Sequence, residues 1–286
     1  MDPDRFAVLT TSVEGSDQFD VEQPFRIRRV KGPMLPIPEL RRRIERELSE
    51  TGADRLVIDP TLPLGSIIPG MGIPYAVLIH GAELLVPMAL PGLRAETRRI
   101  LAGAKAVISS GSDAADEARA LIGEASSAPS RVHVVFPGVD LGYFRPLDHA
   151  EREDVRASLG YRPDEIVVFF VSRLVPRKGA DMVIRGLGSM GREQPSLRIV
   201  VGGEGRDRAR LERIAKEEGV RCDFVGGLSK SSLRAHYQAC DLFAMLCRDR
   251  WFGIEREGFG IVFLEAQACG APVVVGRSGG SIDALD

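Results

Sequence analysis

Two carboxylates eight residues apart frame the segment of this chain richest in chemistry: Glu257-Gly258-Phe259-Gly260-Ile261-Val262-Phe263-Leu264-Glu265. The Gly-Phe-Gly stretch predicts a loop feeding a helix that begins near Ile261. Glu257 then lies in the loop, and Glu265 just over a turn into the helix. A carboxylate accepts hydrogen bonds from paired hydroxyls, so one can hold a ribose and the other a donor sugar. The amides at the helix start suit an anion or the polar face of a sugar. The plain alternative is a loop glutamate followed by a solvated helix glutamate. Two glycines flanking Phe259 beside Glu257 weigh against it.

Three further segments carry candidate residues. Ser172-Arg173-Leu174-Val175-Pro176-Arg177-Lys178-Gly179 follows the apolar run Ile166–Val171, which predicts a strand. Arg173 and Lys178 can both reach a diphosphate, the guanidinium in a fork and the ammonium as a mobile point charge. Standing alone, the stretch reads as a solvated basic loop. Gly202-Gly203-Glu204-Gly205 invites a dinucleotide reading, but counting from Gly203 the last position of the glycine pattern is Arg208. A turn that lets backbone approach a ligand or the next helix fits at least as well. His80 ends the run Tyr75–Ile79, before Gly81 and Glu83. A lone histidine is more often structural, but this one sits at a strand's C-terminal edge, where open α/β sheets bind ligands. His133, His149 and His236 have no comparable setting.

The elements that must position these residues follow a βα rhythm, the mark of parallel sheets. In the first half, strands are expected at Phe6–Leu9, Arg55–Asp59, Tyr75–Ile79, Ala106–Ser109 and Val132–Phe136. Helices are expected from about Ile37 to Thr51 and after Ser112, which reads as an N-cap before Asp113 and Asp116. In the second half, strands are expected at Ile166–Val171, Arg198–Gly202, Asp223–Val225, Leu242–Met245 and Val273–Gly276. Its helices are expected at Asp181–Leu187, Arg206–Glu218, Ser231–Ala239 and Ile261–Ala268, with Gly270 ending the last. Pro137-Gly138-Val139-Asp140, Phe144-Arg145-Pro146 and a charged stretch to Asp154 read as an interdomain connection. This predicts two α/β lobes, 1–147 and 148–286, both Rossmann-like and doubly wound, facing a cleft.

Composition narrows the function classes. The chain has 286 residues, 44% hydrophobic, with net charge −2 and a pI near 6.2. That is core enough for one large or two modest domains, and it lacks the basic excess of a nucleic-acid binder. Basic residues cluster at Arg26, Arg28, Arg29 and Lys31, and again at Arg41, Arg42 and Arg43. A solvated strand end and a solvated helix face explain them; a surface meeting anionic lipid is the sharper reading. Leu40, Ile44 and Leu48 form a stripe that more often faces a core. Cys222, Cys240, Cys247 and Cys269 make no CxxC pair, which fits a reducing cytosol better than a zinc or disulfide framework. The apolar span Leu62–Leu93 is broken by Gly, Pro, His80 and Glu83, and falls short of the roughly 20 apolar residues a membrane helix needs. A soluble or peripheral protein is expected.

Taken in order, Pro137-Gly138-Val139-Asp140 with Phe144 and Pro146, Ser172-Arg173 with Lys178-Gly179, Gly202–Gly205, the Glu257/Glu265 pair and Ser278-Gly279-Gly280 resemble the retaining, metal-independent family-four glycosyltransferases of the two-Rossmann-lobe, GT-B type. The resemblance spans roughly residues 50 to 286. It implies that Arg173 and Lys178 bind the donor diphosphate and that Glu265 holds the nucleotide ribose. It further implies that Glu257, Gly258, Phe259 and Gly260 hold the donor sugar, the last two through their amides, and that His80 supports the reacting sugar carbon. The stretch Cys247 to Glu265, with Arg248 and Arg250, looks most like the enzymes that mannosylate phosphatidylinositol mannoside from GDP-mannose. A UDP-sugar donor with another glycan acceptor is the neighbouring alternative. Members usually begin with a strand and glycine-rich loop and end with further helices. Here Phe6–Leu9 reads as the second strand and Asp286 follows closely on Ser278-Gly279-Gly280, so the chain is expected to be truncated at both ends.

The resemblance thus implies hexosyl transfer with retention, aided by preorganised charge on the leaving diphosphate. No metal or cofactor is expected beyond the nucleotide sugar. The acceptor is expected to be a lipid or glycan, and the place the cytoplasm or the inner face of the plasma membrane. A nucleotide-sugar hydrolase or epimerase would instead release or alter the sugar without an acceptor. A non-catalytic remnant would fail to bind GDP.

Overall fold

A computed structural model describes residues 5–123, 130–191 and 196–285; the outermost residues of the two expected lobes, Met1 and Asp286, lie outside them. The chain groups into two units. The first holds 1–79, 86–109 and 115–134; the second holds 80–85, 110–114 and 135–286.

The first unit opens with β1 (Ala7–Thr11), α1 (Ser16–Val21) and β2 (Arg26–Val30), the two strands pairing in parallel. Next come α2 (Pro38–Thr51), β3 (Leu56–Ile58), β4 (Tyr75–Ile79), α3 (Ala82–Ala89), α4 (Pro91–Gly103), β5 (Ala106–Ser109), α5 (Ser112–Ile122) and β6 (Val132–Val134), with the first residues of α3, to Leu85, and of α5, to Ala114, belonging to the second unit. Strands β3, β4, β5 and β6 form one parallel sheet in that order. In β4, Tyr75, Val77 and Ile79 are buried, and α4 packs Ile100 and Leu101 into the same core. The Tyr75 hydroxyl donates to the Ile100 carbonyl at 2.7 Å, which satisfies a buried polar group.

Within the basic run, Arg26–Val30 is a strand in its own right rather than a strand end. Its arginines have local partners: Arg26 reaches Glu47 and Glu50, Arg28 reaches Glu50, and Arg29 grips Asp20 at 2.6 Å. On α2, Arg41 pairs with Glu45 and Arg42 with Glu39. Exposed pairs of this kind contribute about 0–1 kcal/mol each. Their consequence is electrostatic, because much of this charge is already neutralised.

The second unit contains α6 (His149–Ser158), β7 (Ile166–Val171), α7 (Ala180–Gly191), β8 (Leu197–Gly202), α8 (Arg208–Glu218), β9 (Cys222–Gly226), α9 (Lys230–Ala239), β10 (Leu242–Met245), α10 (Ile261–Ala268) and β11 (Val273–Val275). The sheet is parallel with order β11-β10-β7-β8-β9. Its centre is β7, where Val167, Val168, Phe169 and Phe170 are all buried, as a strand covered on both faces requires. The chain leaves β7 towards β8 on one side and returns after β9 to β10 on the other. The β7/β10 junction is therefore the topological switch point, where crossovers diverge and a crevice opens beyond the strand ends.

Two further expectations fail for reasons the sequence hides. The charged stretch to Asp154 is no extended connection: it is most of α6, started by a capping box in which the Glu151 amide donates to Asp148 Oδ1 at 2.8 Å. Arg152 and Arg156 of this helix reach across to Asp241 at 2.7 and 3.1 Å. Ser112 is not an N-cap. It is the first residue of α5, and both its amide and its hydroxyl donate to the Asp283 carboxylate at 2.6 Å. In the other expected elements the differences are end residues. β6 stops at Val134, releasing Phe136, and α7 runs on to Gly191 rather than Leu187.

Candidate functional site

The loops after β7 and β10 meet at the switch point. The first runs from Ser172 through a 3-10 turn, Pro176–Lys178, to Gly179 at φ 75°. A side chain on Gly179 would collide with the Leu246 carbonyl, so glycine is required by both conformation and space. This contact lets the Arg248 amide donate to the Arg177 carbonyl at 2.9 Å and zips the two loops together. The glycines of Gly202–Gly205 act on the same loop. Leu174 donates its amide to the Glu204 carbonyl at 2.8 Å, and Cβ atoms on Gly203 and Gly205 would strike the backbone of Ser172 and Leu174. That segment braces the first loop from behind.

Lys178 Nζ donates to Glu257 Oε2 at 2.5 Å, and Arg177 donates to the same oxygen at 3.1 Å and to the Arg256 carbonyl at 3.2 Å. The side chains of Lys178, Arg177 and Glu257 keep only 12%, 17% and 9% of their exposure, so this is a largely desolvated cluster of two cations and one carboxylate. The glutamate backbone is fixed independently. Its amide donates to Ser278 Oγ at 3.1 Å, and Ser278 Oγ donates in turn to Asp249 at 2.7 Å. The Glu257 carbonyl accepts from the Gly280 amide at 3.0 Å.

His80 joins this loop through backbone. A Cβ on Gly258 would collide with the His80 carbonyl oxygen, Cβ atoms on Gly111 and Gly280 would strike the Gly258 carbonyl oxygen, and Gly81, at φ 104°, lies against the Gly258 Cα. The His80 and Gly81 amides both donate to Glu83 Oε1, which sets the direction in which the chain leaves β4. Four glycines from separated parts of the chain thus bring His80 and the Gly258 loop into van der Waals contact.

The remaining predicted residues fall into two groups. Phe259 is buried and stacks on Phe136 at 5.6 Å, so its ring belongs to the core and only its backbone is available to a ligand. Gly260, at φ 90°, starts α10 with no side-chain cap. Glu265 accepts from the Tyr237 hydroxyl at 3.0 Å, and burial raises its carboxyl above the usual range, against the lowering effects of that hydrogen bond and of Lys230. No hydrogen bond or ion pair among the described residues links it to Glu257. Arg173 is exposed, and its guanidinium has no partner among the described residues. The inward-facing arginine is Arg177, which the reading of the motif passed over; the proline-initiated turn explains the choice, since it swings 177 and 178 together towards Glu257. Asp249, Arg256 and Asp283 were also missed and carry no local signal. Among the described residues, no cluster of three or more His, Cys, Asp or Glu side chains could hold a metal.

Comparison with known proteins follows the same lines. Residues 151–286 match the family described as "Glycosyl transferases group 1". Over 280 residues the chain is 36% identical to the GDP-mannose-dependent alpha-(1-6)-phosphatidylinositol monomannoside mannosyltransferase of Mycobacterium tuberculosis, spanning 94% of this chain and 70% of that protein. Identity to the corresponding monoacylated-acceptor enzyme of Corynebacterium glutamicum is 30% over 287 residues, 98% of this chain and 74% of that one. Among solved structures, Anabaena HepE in complex with UDP superposes with a TM-score of 0.81 at 20% identity, over all of this chain and 76% of that chain. Sucrose-phosphate synthase from Thermosynechococcus elongatus gives 0.70 at 19% identity over 96% of this chain and 82% of that chain. These two likenesses establish the fold alone. The chain belongs to the group 1 glycosyltransferases and has their GT-B fold of parallel α/β units.

Proposed function

We propose that this chain transfers mannose, with retention of anomeric configuration, from GDP-mannose to a lipid-borne acceptor of the phosphatidylinositol mannoside class. The observation that carries the site is the Lys178–Glu257 ion pair at the switch point, 2.5 Å long and braced by Arg177. The donor chemistry comes from the 36% identical relative, whose name specifies GDP-mannose.

In this reading the donor replaces one ion pair by several. Lys178 leaves Glu257 for the diphosphate, and Arg173 swings in from solvent as the second cation. Arg177 stays on Glu257, so the freed carboxylate keeps a counter-ion while it accepts hydrogen bonds from the sugar hydroxyls. Glu265 takes the ribose, held in place by Tyr237. The amides of Gly258, Phe259 and Gly260 line the donor sugar, and His80 faces its reacting carbon. As the bond to the leaving phosphate lengthens, negative charge grows on the diphosphate. Lys178, Arg173 and the first amides of α10 stabilise it more in the transition state than in the ground state, which is the condition for catalysis. The glutamates orient the donor rather than trade protons. No metal is needed in this scheme, because two cations already oppose the diphosphate. The acceptor places the work at the cytoplasmic face of a membrane.

The test is transfer to phosphatidylinositol monomannoside from GDP-mannose, UDP-glucose and UDP-N-acetylglucosamine, repeated with Lys178→Ala and Glu257→Ala. The expected result is product from GDP-mannose and a loss of roughly 100-fold or more in each variant. Product from a UDP-sugar alone would point to the neighbouring donor class. Sugar release without acceptor would point to a hydrolase, and unchanged variants would remove the site assignment.

A further inference from the structure

Between β10 and the Glu257 loop the chain makes a detour. Arg250 and Glu255 exchange backbone hydrogen bonds of 3.0 and 3.1 Å and also pair through their side chains at 3.1 Å. Inside that clasp, the Gly253 amide donates to Arg250 and the Ile254 amide to Trp251, both at 3.1 Å. The result is a closed hairpin whose tip is Trp251-Phe252-Gly253-Ile254.

The tip points its apolar groups into water. Phe252 is 108% exposed, more than any other large hydrophobic residue among those described, with Trp251 at 64% and Ile254 at 40%. The backbone is unusual at the same place. Trp251 and Phe252, at φ 53° and 55°, are the two non-glycine residues with left-handed backbone among those described. Bulky L-residues avoid that region, and strain of this kind persists where the surroundings over-determine it, often at functional sites. A mere connection would place glycine or asparagine here and keep the aromatics out of solvent.

A projecting, convex apolar tip suits a soft medium better than a rigid pocket. Tryptophan and phenylalanine are favoured at the membrane–water boundary. The base of the tip is polar: the Arg250–Glu255 clasp, with the largely exposed Arg206 3.9 Å from Glu255. Among the described residues no helix is long and apolar enough to cross a membrane. We infer that the Trp251–Ile254 tip inserts into the interfacial layer of the bilayer that carries the acceptor, and so holds the Glu257 loop, only two residues beyond the clasp, at the membrane surface. The choice of a bilayer as occupant rests on the lipid acceptor proposed above.

Trp251 is the chain's only tryptophan, so it reports on its own surroundings. Its emission is followed as vesicles of phosphatidylcholine and phosphatidylinositol are added, with and without bromine on the acyl chains. A shift to the blue and quenching by the brominated lipid are expected. Phe252→Ser is expected to weaken vesicle binding roughly tenfold, the loss of one partly buried aromatic, while GDP binding by calorimetry is unchanged. Emission that stays aqueous while the protein sediments with vesicles overturns the proposal. So does a blue shift without lipid that grows with protein concentration, which would mean that a second copy covers the tip. Because GDP binding is read separately, its absence would count against the donor-site reading and not against the tip.

Discussion

Gly258→Ala is the substitution that separates positioning from binding in this site. A methyl group at 258 would be aimed at the His80 carbonyl oxygen, backbone against backbone, with Gly111 and Gly280 closing the other side. No flexible side chain is available to give way. The Glu257–Gly260 loop and His80 must therefore move apart by roughly 0.5–1 Å, and a misplacement of that order costs about 100-fold in rate when the two flank a reacting centre. The anchors of the loop lie elsewhere: Ser278 holds the Glu257 amide, and Lys178 with Arg177 holds its carboxylate. GDP affinity should accordingly change less than threefold, and stability by about 1–2 kcal/mol, the usual cost of local overpacking. Steady-state transfer, GDP calorimetry and urea unfolding measure the three quantities. A kcat within threefold of the unsubstituted protein would refute the argument that contact between His80 and the loop sets the geometry. A loss of GDP binding as large as the loss of rate would show that the loop serves the nucleotide instead.

Glu257→Ala leaves two largely desolvated cations without their carboxylate and should cost about 3 kcal/mol, whereas Lys178→Met leaves Glu257 paired with Arg177 and should cost about 1 kcal/mol; equal losses in urea unfolding would contradict the shared arrangement. His236 is buried, with its Nδ1 2.6 Å from the Tyr161 hydroxyl, and burial, reinforced by nearby Arg198, pushes its pKa down to about 4. The folded protein therefore keeps this imidazole neutral while the unfolded chain protonates it below about 6.5, so stability is complete above that pH and falls between 6.5 and about 4. The loss at pH 5 should be about 2 kcal/mol, and His236→Gln should flatten this part of the pH–stability curve; an unchanged slope would sink the assignment. Gly203→Ala places a methyl at φ 103° against the Ser172 carbonyl and should cost more than about 2 kcal/mol in thermal unfolding, against nearly nothing for Gly227→Ala, where space is open.

Much of the scaffold was legible because its strands are short, apolar and largely buried. The runs at 75–79, 106–109, 166–171 and 242–245 match strand limits residue for residue, and α10 begins at Ile261 as its preceding glycine indicates. What failed was polar or distant. α6 reads as a connection because its exposed face is charged, and its capping box alone marked it as a helix. β2 mixes three arginines with two aliphatic residues out of strict alternation, and its partners come from α1 and α2 rather than from neighbours in sequence. Within the site, Arg173 and Arg177 are equivalent as residue types. Only the 3-10 turn decides that Arg177 faces Glu257 and Arg173 faces solvent. The four-glycine contact around Gly258 joins positions 81, 111, 258 and 280, and no window of sequence contains it.

Transfer with retention is measured most directly by the anomeric configuration of the product formed from GDP-mannose and phosphatidylinositol monomannoside, read by NMR. Retention predicts an α-mannosyl product from the α-linked donor, with no product when Lys178 is replaced by alanine. A β-linked product, or none from GDP-mannose under conditions where GDP binds, would contradict it.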